Sequence, residues 1–232
     1  MIVEPDIETC SEDRLLAALT EQVNGPKWLG EMRGLARKRF ADLGFPTTRD
    51  EDWRFTNVSP LKELEFSAAE TDPSAQLEGC LFGSLEGPRL VFVNGFYSAE
   101  LSHVGELPNG VQVSSVAKAL AQYESVFKNH LTHRDTDAFA ALNTACFTDG
   151  AFVRVPDGVA METPIRIYYL NTGGDGATAN IRSLIVVGEN SQATVVESWS
   201  GRDTAYFNNA ITELIVGDNA QVEHVKFQDE ST

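Results

Sequence analysis

Three cysteines and four histidines are the side chains in this sequence best suited to metal binding or nucleophilic chemistry. Cys10, Cys80 and Cys146 are widely separated and form no Cys-x-x-Cys pair. Neither a disulfide framework nor a self-contained zinc site is readable from them. Each reads as a small buried hydrophobe or an idle thiol, and a reducing, cytoplasmic compartment is expected. His130 and His133 are three apart on a predicted helix, a spacing that could set both against one metal ion. Their neighbours Glu124 and Asp135 are surface-type, and no third ligand stands with them. His224 lies between Glu223 and Val225 on a predicted strand. Alternation turns it away from Val225 and predicts a single satisfied or exposed histidine. Trp199-Ser200-Gly201 would suit sugar stacking, yet the acidic and basic ledge such a site needs is missing beside it. Gly173-Gly174-Asp175-Gly176 lacks a following Lys and helix pattern, so it reads as a turn. No G-x-x-x-x-G-K-[ST], G-x-S-x-G or H-E-x-x-H pattern occurs, and no ATP binding by a phosphate loop is expected.

The elements that would position these residues fall into two textures. Ser11-Glu12-Asp13 offers an N-cap with acidic residues in a first turn. Leu15, Leu16, Leu19 and Val23 follow at helical spacing. Pro26 can open a second helix, with Trp28, Leu29, Met32, Leu35, Ala36, Phe40 and Leu43 as its apolar stripe and Gly44 as its C-cap. Helices are expected over roughly 12–44 and 115–146, the latter in two stretches that meet near Thr136. Between them, 67–88 reads as loop, and Arg89 to Tyr97 as a strand, an Asn-Gly turn and a return. After Gly150 the helical period disappears. Short β-branched and aromatic runs separated by Gly, Asn and Asp take over.

A repeat organises that second part. Val155-Pro156-Asp157-Gly158-Val159, Val187-Gly188-Glu189-Asn190-Ser191 and Val216-Gly217-Asp218-Asn219-Ala220 share one strand-end signature, spaced 32 and 29 residues apart. Gln192 to Val196 then runs beside Gln221 to Val225. A unit of this size with strands and no helix cannot bury its own apolar face, whereas stacked units bury a continuous interior. The expected architecture is mainly β: an N-terminal helical and α+β module over 1–150, then a parallel β-solenoid over 151–232, starting near Phe152. An antiparallel sandwich ranks second, because it does not require self-similarity at fixed spacing. The solenoid reads as cut short, with its C-terminal part missing. Its last strands are therefore expected to pair with another chain, a homodimer included.

Charge excludes some functions. The chain carries 18 Lys+Arg against 34 Asp+Glu, a net charge of −16. That disfavours nucleic acid and anionic membranes as partners. Residues 26–66 hold 8 of the basic and only 7 of the acidic residues. Arg37-Lys38-Arg39 is the one basic spot and reads as a solvated helix face.

Two segments resemble a known family. Leu43-Gly44-Phe45-Pro46-Thr47-Thr48-Arg49-Asp50-Glu51-Asp52-Trp53-Arg54-Phe55-Thr56 is similar to a segment of the SufB/SufD family of SUF iron–sulfur cluster assembly scaffolds. The shared positions are Gly44, Pro46, Thr47, Glu51, Trp53, Arg54, Phe55 and Thr56, and Trp53 and Phe55 are expected to be buried as an aromatic staple. Arg89 to Tyr97, followed by Leu101-Ser102, resembles a second family segment. The resemblance implies a right-handed parallel β-helix and a non-enzymatic scaffold acting with a SufB-like paralogue and a SufC-like ATPase. It implies no cofactor bound by this chain alone, and an iron–sulfur cluster in the assembled complex. It sets the cluster ligands and ATPase-docking helices in the family's C-terminal half, beyond residue 232, so Cys10, Cys80, Cys146 and His224 receive no cluster role. Two rival classes remain open at this point. One is a hexapeptide-repeat acyltransferase, suggested by Ile215 to Ala220; the other is a carbohydrate-active β-helix enzyme.

Overall fold

The computed structural model describes residues 15, 16, 19, 25–77, 82–131 and 137–230. Helix α1 (Lys27–Leu43) follows Pro26, which sits at the N-cap with extended backbone, one position earlier than expected. Gly44 closes the helix at φ 63°, its N–H donating to Phe40 O at 2.8 Å. A side chain is rarely tolerated at this φ, so glycine is the residue the stop requires. Leu29, Met32, Ala36 and Phe40 make the buried stripe, and Leu15 and Leu19 pack on Phe40. Helices α2 (Val116–Ala119) and α3 (Glu124–Leu131) split the stretch expected to be continuous. Helix α4 (Ala138–Cys146) is capped by Asp137, whose Oδ1 accepts from Ala140 N at 2.8 Å.

Among the described residues ten strands form two mixed sheets, and the described fold is mainly β with helices on one side. They are β1 (Ser67–Ala68), β2 (Arg89–Val93), β3 (Phe96–Tyr97), β4 (Gln112–Ser115), β5 (Ala151–Val155), β6 (Ile165–Asn171), β7 (Ala177–Val187), β8 (Gln192–Gly201), β9 (Phe207–Val216) and β10 (Gln221–Asp229). The first sheet has β1 and β5 on one edge of β7, β9 on the other, and β4 antiparallel to β5. The second runs β10-β8-β6-β2-β3, with only β2 and β3 antiparallel. From β5 onward the strands alternate between the two sheets and every strand pairing among them is parallel. The antiparallel alternative is excluded for that region. β2 and β3 form the expected hairpin, with Asn94 and Gly95 both at positive φ as a two-residue turn requires.

The repeat is a register. Val155, Val187 and Val216 are successive partners across β5, β7 and β9. The turns that follow stack: Glu189 N donates to Asp157 Oδ1 at 2.9 Å and Asn219 Nδ2 to Asn190 Oδ1 at 2.8 Å. Asn190 and Asn219 both hold positive φ.

Between the sheets lies an apolar interior that includes Leu90, Val153, Ile165, Ile167, Ile185 and Val195. Phe92, Tyr169 and Trp199 are register partners on β2, β6 and β8, and their rings stack with centroids 5.3 and 4.0 Å apart. The outer face of the second sheet is covered by Ala75, Leu77 and Leu101 against Val91, Val93, Tyr168 and Leu170. This cover explains why β6 is buried on both faces. The outer face of the first sheet meets α4 through a polar seam. Asn143 Nδ2 donates to the carbonyls of Ile181 and Asn209 at 2.8 and 2.9 Å. Arg182, 1% exposed, reaches Glu213 Oε1 at 2.7 Å and donates to Asn143 and Thr144.

Two outcomes follow from these buried charges. Glu213→Ala leaves the Arg182 guanidinium buried without its counter-charge and should lower unfolding free energy by about 3–5 kcal/mol, read by urea denaturation. Asp149 is buried and accepts from the backbone N–H groups of Ala117 and Gly150. Burial outweighs these bonds and raises its pKa from 3.8 to about 6. The folded state therefore holds this proton longer than the unfolded chain. Its contribution to stability is largest below pH 3.8, falls up to about pH 6 and is constant above. Asp149→Asn should remove a fall on the order of 3 kcal/mol, at about 1.4 kcal/mol per pKa unit, from the stability profile between pH 4 and 7.

Candidate functional site

The inward positions of β8 alternate Val195, Glu197, Trp199. The middle one is a carboxylate inside an otherwise apolar interior, 1% exposed. Partners from three strands hold it. Thr212 of β9 donates its hydroxyl to Glu197 Oε1 at 3.0 Å, and Trp199 donates its indole N–H to Oε2 at 3.2 Å. His224 of β10 places Nε2 3.2 Å from Oε1. Lys226, the register partner of Glu197, sets its ammonium 4.8 Å from the centre of the Trp199 ring. One strand earlier, Tyr169 shares a 2.6 Å hydrogen bond with Ser183. The interior thus turns from apolar to polar along the stack: Ile167, then Glu197, then Lys226; Val195, then His224.

The electrostatics follow the geometry. Burial opposes ionisation of Glu197, but the bond and charge of His224, with Thr212 and Trp199, outweigh it and hold the carboxyl below its ordinary range. The bond to Glu197 raises His224, against partial burial and the charge of Lys226. Burial and the neighbouring Glu197 charge push the Tyr169 phenol well up, so it stays neutral. The cluster therefore holds a buried carboxylate that meets three protein donors, one of them an imidazole that matches its charge when protonated. Among the described residues no three His, Cys, Asp or Glu side chains are grouped to hold a metal ion.

The residues singled out in the sequence are dispersed. Trp199 is buried between Tyr169 and Lys226 and offers no sugar platform. His130 lies near the end of α3; His133, Cys10 and Cys80 lie outside the described residues. Cys146 is buried in α4, and burial pushes its thiol up to about 12 despite Arg33 and Arg37 nearby, so it is protonated at neutral pH. Gly173 to Gly176 make the turn between β6 and β7, as expected. Among the described residues no helix is long and apolar enough to cross a membrane.

The family-like segment forms an exposed turn after α1. Thr47 donates its backbone N–H and hydroxyl to Asp50 Oδ2 at 2.7 and 3.1 Å, and Glu51–Trp53 is a 3-10 turn whose Trp53 carbonyl accepts from Thr56 N at 3.0 Å. Trp53 and Phe55 are not a buried pair. Trp53 is half-buried with its ring 5.0 Å from Phe139. Phe55 is 93% exposed, under the Arg54 guanidinium at 5.5 Å. Two positions apart, at about three residues per turn, the two rings leave the chain in different directions and only one meets the fold. Trp53 also walls a groove of about 430 Å³ with Leu61, Phe139, Phe207 and Ile211, beside the outer edge of β9.

His224 is a satisfied histidine, one of the two outcomes its place on the strand predicts, but its partner Glu197 is a residue that the sequence does not single out. The signal was in the repeat: carried beyond the turn, its 29-residue spacing aligns Val195 with His224 and Glu197 with Lys226. That places polar residues on the inward face. For the turn, Phe55→Ala should change stability by no more than about 0.5 kcal/mol. Trp53→Ala should cost clearly more than that, yet less than the about 3–5 kcal/mol of a fully buried aromatic. Paired chemical denaturation curves separate the two.

Comparison with known proteins gives these features a setting. Residues 18–167 match the model of the SufBD protein N-terminal region, and residues 169–232 that of the SUF system FeS cluster assembly SufBD core domain. An iron–sulfur cluster assembly SufBD family protein of Synechocystis sp. is 34% identical over 94% of this chain and 52% of its own length. The iron–sulfur cluster assembly protein SufD of Bacillus subtilis is 29% identical over 91% of this chain and 51% of its own. SufD of Escherichia coli is 26% identical over 79% and 42%. The chain thus spans about half the length of these curated relatives. With both family models matched in order along the parallel-stranded region and the module before it, the chain belongs to the SufBD family of iron–sulfur cluster assembly proteins.

Proposed function

We propose that the chain acts as a non-catalytic scaffold subunit in iron–sulfur cluster assembly, in a complex with a SufB-like paralogue and a SufC-like ATPase. The cluster is the cargo of the assembled complex and not a resident group of this chain. The observation that carries this reading is the match of both family models over nearly the whole chain, with relatives named as SufD. We extend the proposal to the fold: the two facing sheets are the beginning of a right-handed parallel β-helix. The strand alternation between sheets and the parallel register support it. Among the described residues β9 pairs only with β7 on its long edge and β10 only with β8.

A chimera tests the reading. Residues 1–232 replace the aligned N-terminal half of Bacillus subtilis SufD in a strain lacking that protein. Restored iron–sulfur enzyme activity is the expected outcome. A chimera that accumulates in folded form and restores none would overturn it. Turnover of acyl-CoA or polygalacturonate by the purified chain would favour the enzyme alternatives.

A further inference from the structure

Asparagine is chemically labile, most of all before glycine, which has no Cβ to shield its backbone nitrogen. Aspartate before glycine follows the same route more slowly. Five such pairs lie among the described residues: Asn94-Gly95, Asn109-Gly110, Asp149-Gly150, Asp157-Gly158 and Asp175-Gly176. The fold locks four of them. Asn94 is 5% exposed. Its amide donates to Glu70 O and Thr172 Oγ1 at 2.7 and 3.1 Å and accepts from Thr172 N at 2.8 Å. Asp149 is buried, its Oδ1 accepts from Gly150 N and Ala117 N, and a Cβ at Gly150 would collide with the Arg182 carbonyl. Asp157 accepts from Glu189 N at 2.9 Å while Gly158 N donates to Glu189 O at 2.8 Å. Asp175 accepts from Ala205 N at 2.9 Å while Gly176 N donates to Ala205 O at 2.7 Å. In each pair the side chain, the attacking nitrogen or both are held.

Asn109-Gly110 is the exception. Both residues are exposed, and among the described residues neither the Asn109 amide nor the Gly110 N–H makes a hydrogen bond. The turn closes around them: Val111 N donates to Pro108 O at 3.0 Å, and Gly110 holds φ 80°. It leads into β4, the strand of the first sheet farthest from β9. We propose that Asn109-Gly110 is a self-modification site, the one described pair of this kind that the native fold leaves open to deamidation. The Gly110 nitrogen gives up its proton and bonds to Asn109 Cγ. The bond from Cγ to Nδ2 breaks, and that nitrogen leaves as ammonia. Water then adds to either carbonyl of the cyclic imide and breaks its bond to the Gly110 nitrogen. Opening on one side leaves an aspartyl residue; opening on the other leaves an isoaspartyl residue, with the main chain routed through the side chain. Water is the only co-reactant. Both products add a carboxylate to a chain already at −16. The isoaspartyl form also lengthens the main chain inside the turn bridged by Val111 N and Pro108 O, just before Val111 and Val113 enter the interior. Conversion accumulates with time, so this turn carries a record of the molecule's age.

The test follows the full chain by peptide mass spectrometry through prolonged incubation in mildly alkaline buffer, with and without urea. In the native chain the peptide holding Asn109 is expected to gain the mass of an amide-to-acid exchange, while the peptide holding Asn94 stays unchanged. In urea, where the fold no longer holds Asn94, both are expected to convert. Isoaspartyl methyltransferase with labelled S-adenosylmethionine locates the isoaspartate. In the native chain its label is expected at position 109 and not at Asp149, Asp157 or Asp175. Asn109→Gln should abolish conversion of its peptide and leave Asn94 protected. An intact Asn109 in the native chain, native conversion of Asn94 as fast as that of Asn109, or equal label at any of the three aspartates would each overturn the proposal. All three are read on the wild type and stand even if the variant does not fold.

Discussion

Each return of the chain must lie in register on the one before it, and at the turns after β7 and β9 there is no room for error. A Cβ at Gly188 would stand 2.2 Å from Asp157 Oδ1 and 2.6 Å from its backbone nitrogen; one at Gly217 would stand 2.7 Å from Glu189 N. Backbone presses on backbone there, so only a residue without a side chain lets the next return settle. With the turns fixed, the strands that leave them inherit their alignment. One residue of slip would exchange every inward side chain for an outward one.

That alignment gives the interior its order. Phe92, Tyr169 and Trp199 stack because each occupies the same register position on successive strands of one sheet. Glu197 can be buried because the same register sets His224 and Lys226 on the adjoining strand and Thr212 across from it. On the opposite face, Arg182 and Glu213 meet diagonally across β7 and β9 under α4. Two buried carboxylates therefore sit on either side of one sheet's backbone. Glu213 answers an arginine that is always charged, whereas Glu197 answers a histidine whose charge depends on its surroundings.

Much of this was legible before any coordinates. The change of texture at Gly150, the Asn94-Gly95 hairpin and the stacked turns at Val155, Val187 and Val216 follow from local chemistry that tertiary packing did not override. The α2–α3 break at residues 120–123 was not legible, because the apolar spacing of Val116, Leu120, Tyr123 and Phe127 suits one helix as well as two. Phe55 was misjudged for a different reason. Aromatic character predicts burial on average, but a 3-10 turn decides which of two nearby rings faces inward. The internal charge pair escaped because strand alternation says which residues share a face and not whether that face is dry. Only the neighbouring strands make Glu197 a buried residue.

The offsets between stacked strands shrink along the chain: Val155 to Val187 is 32 residues, Ile165 to Val195 is 30, Thr178 to Phe207 is 29, and Gln192 to Gln221 is again 29. The extra residues fall in two stretches, 156–164 and 172–177, the second taking in Ala177 at the very start of β7, and none falls within a stretch where stacked strands are in register. Insertions and deletions in descendants of this gene therefore have defined places to survive. Length can drift in those stretches, while a single codon gained or lost within β8 ahead of Glu197 would turn Glu197 and Trp199 out of the interior together.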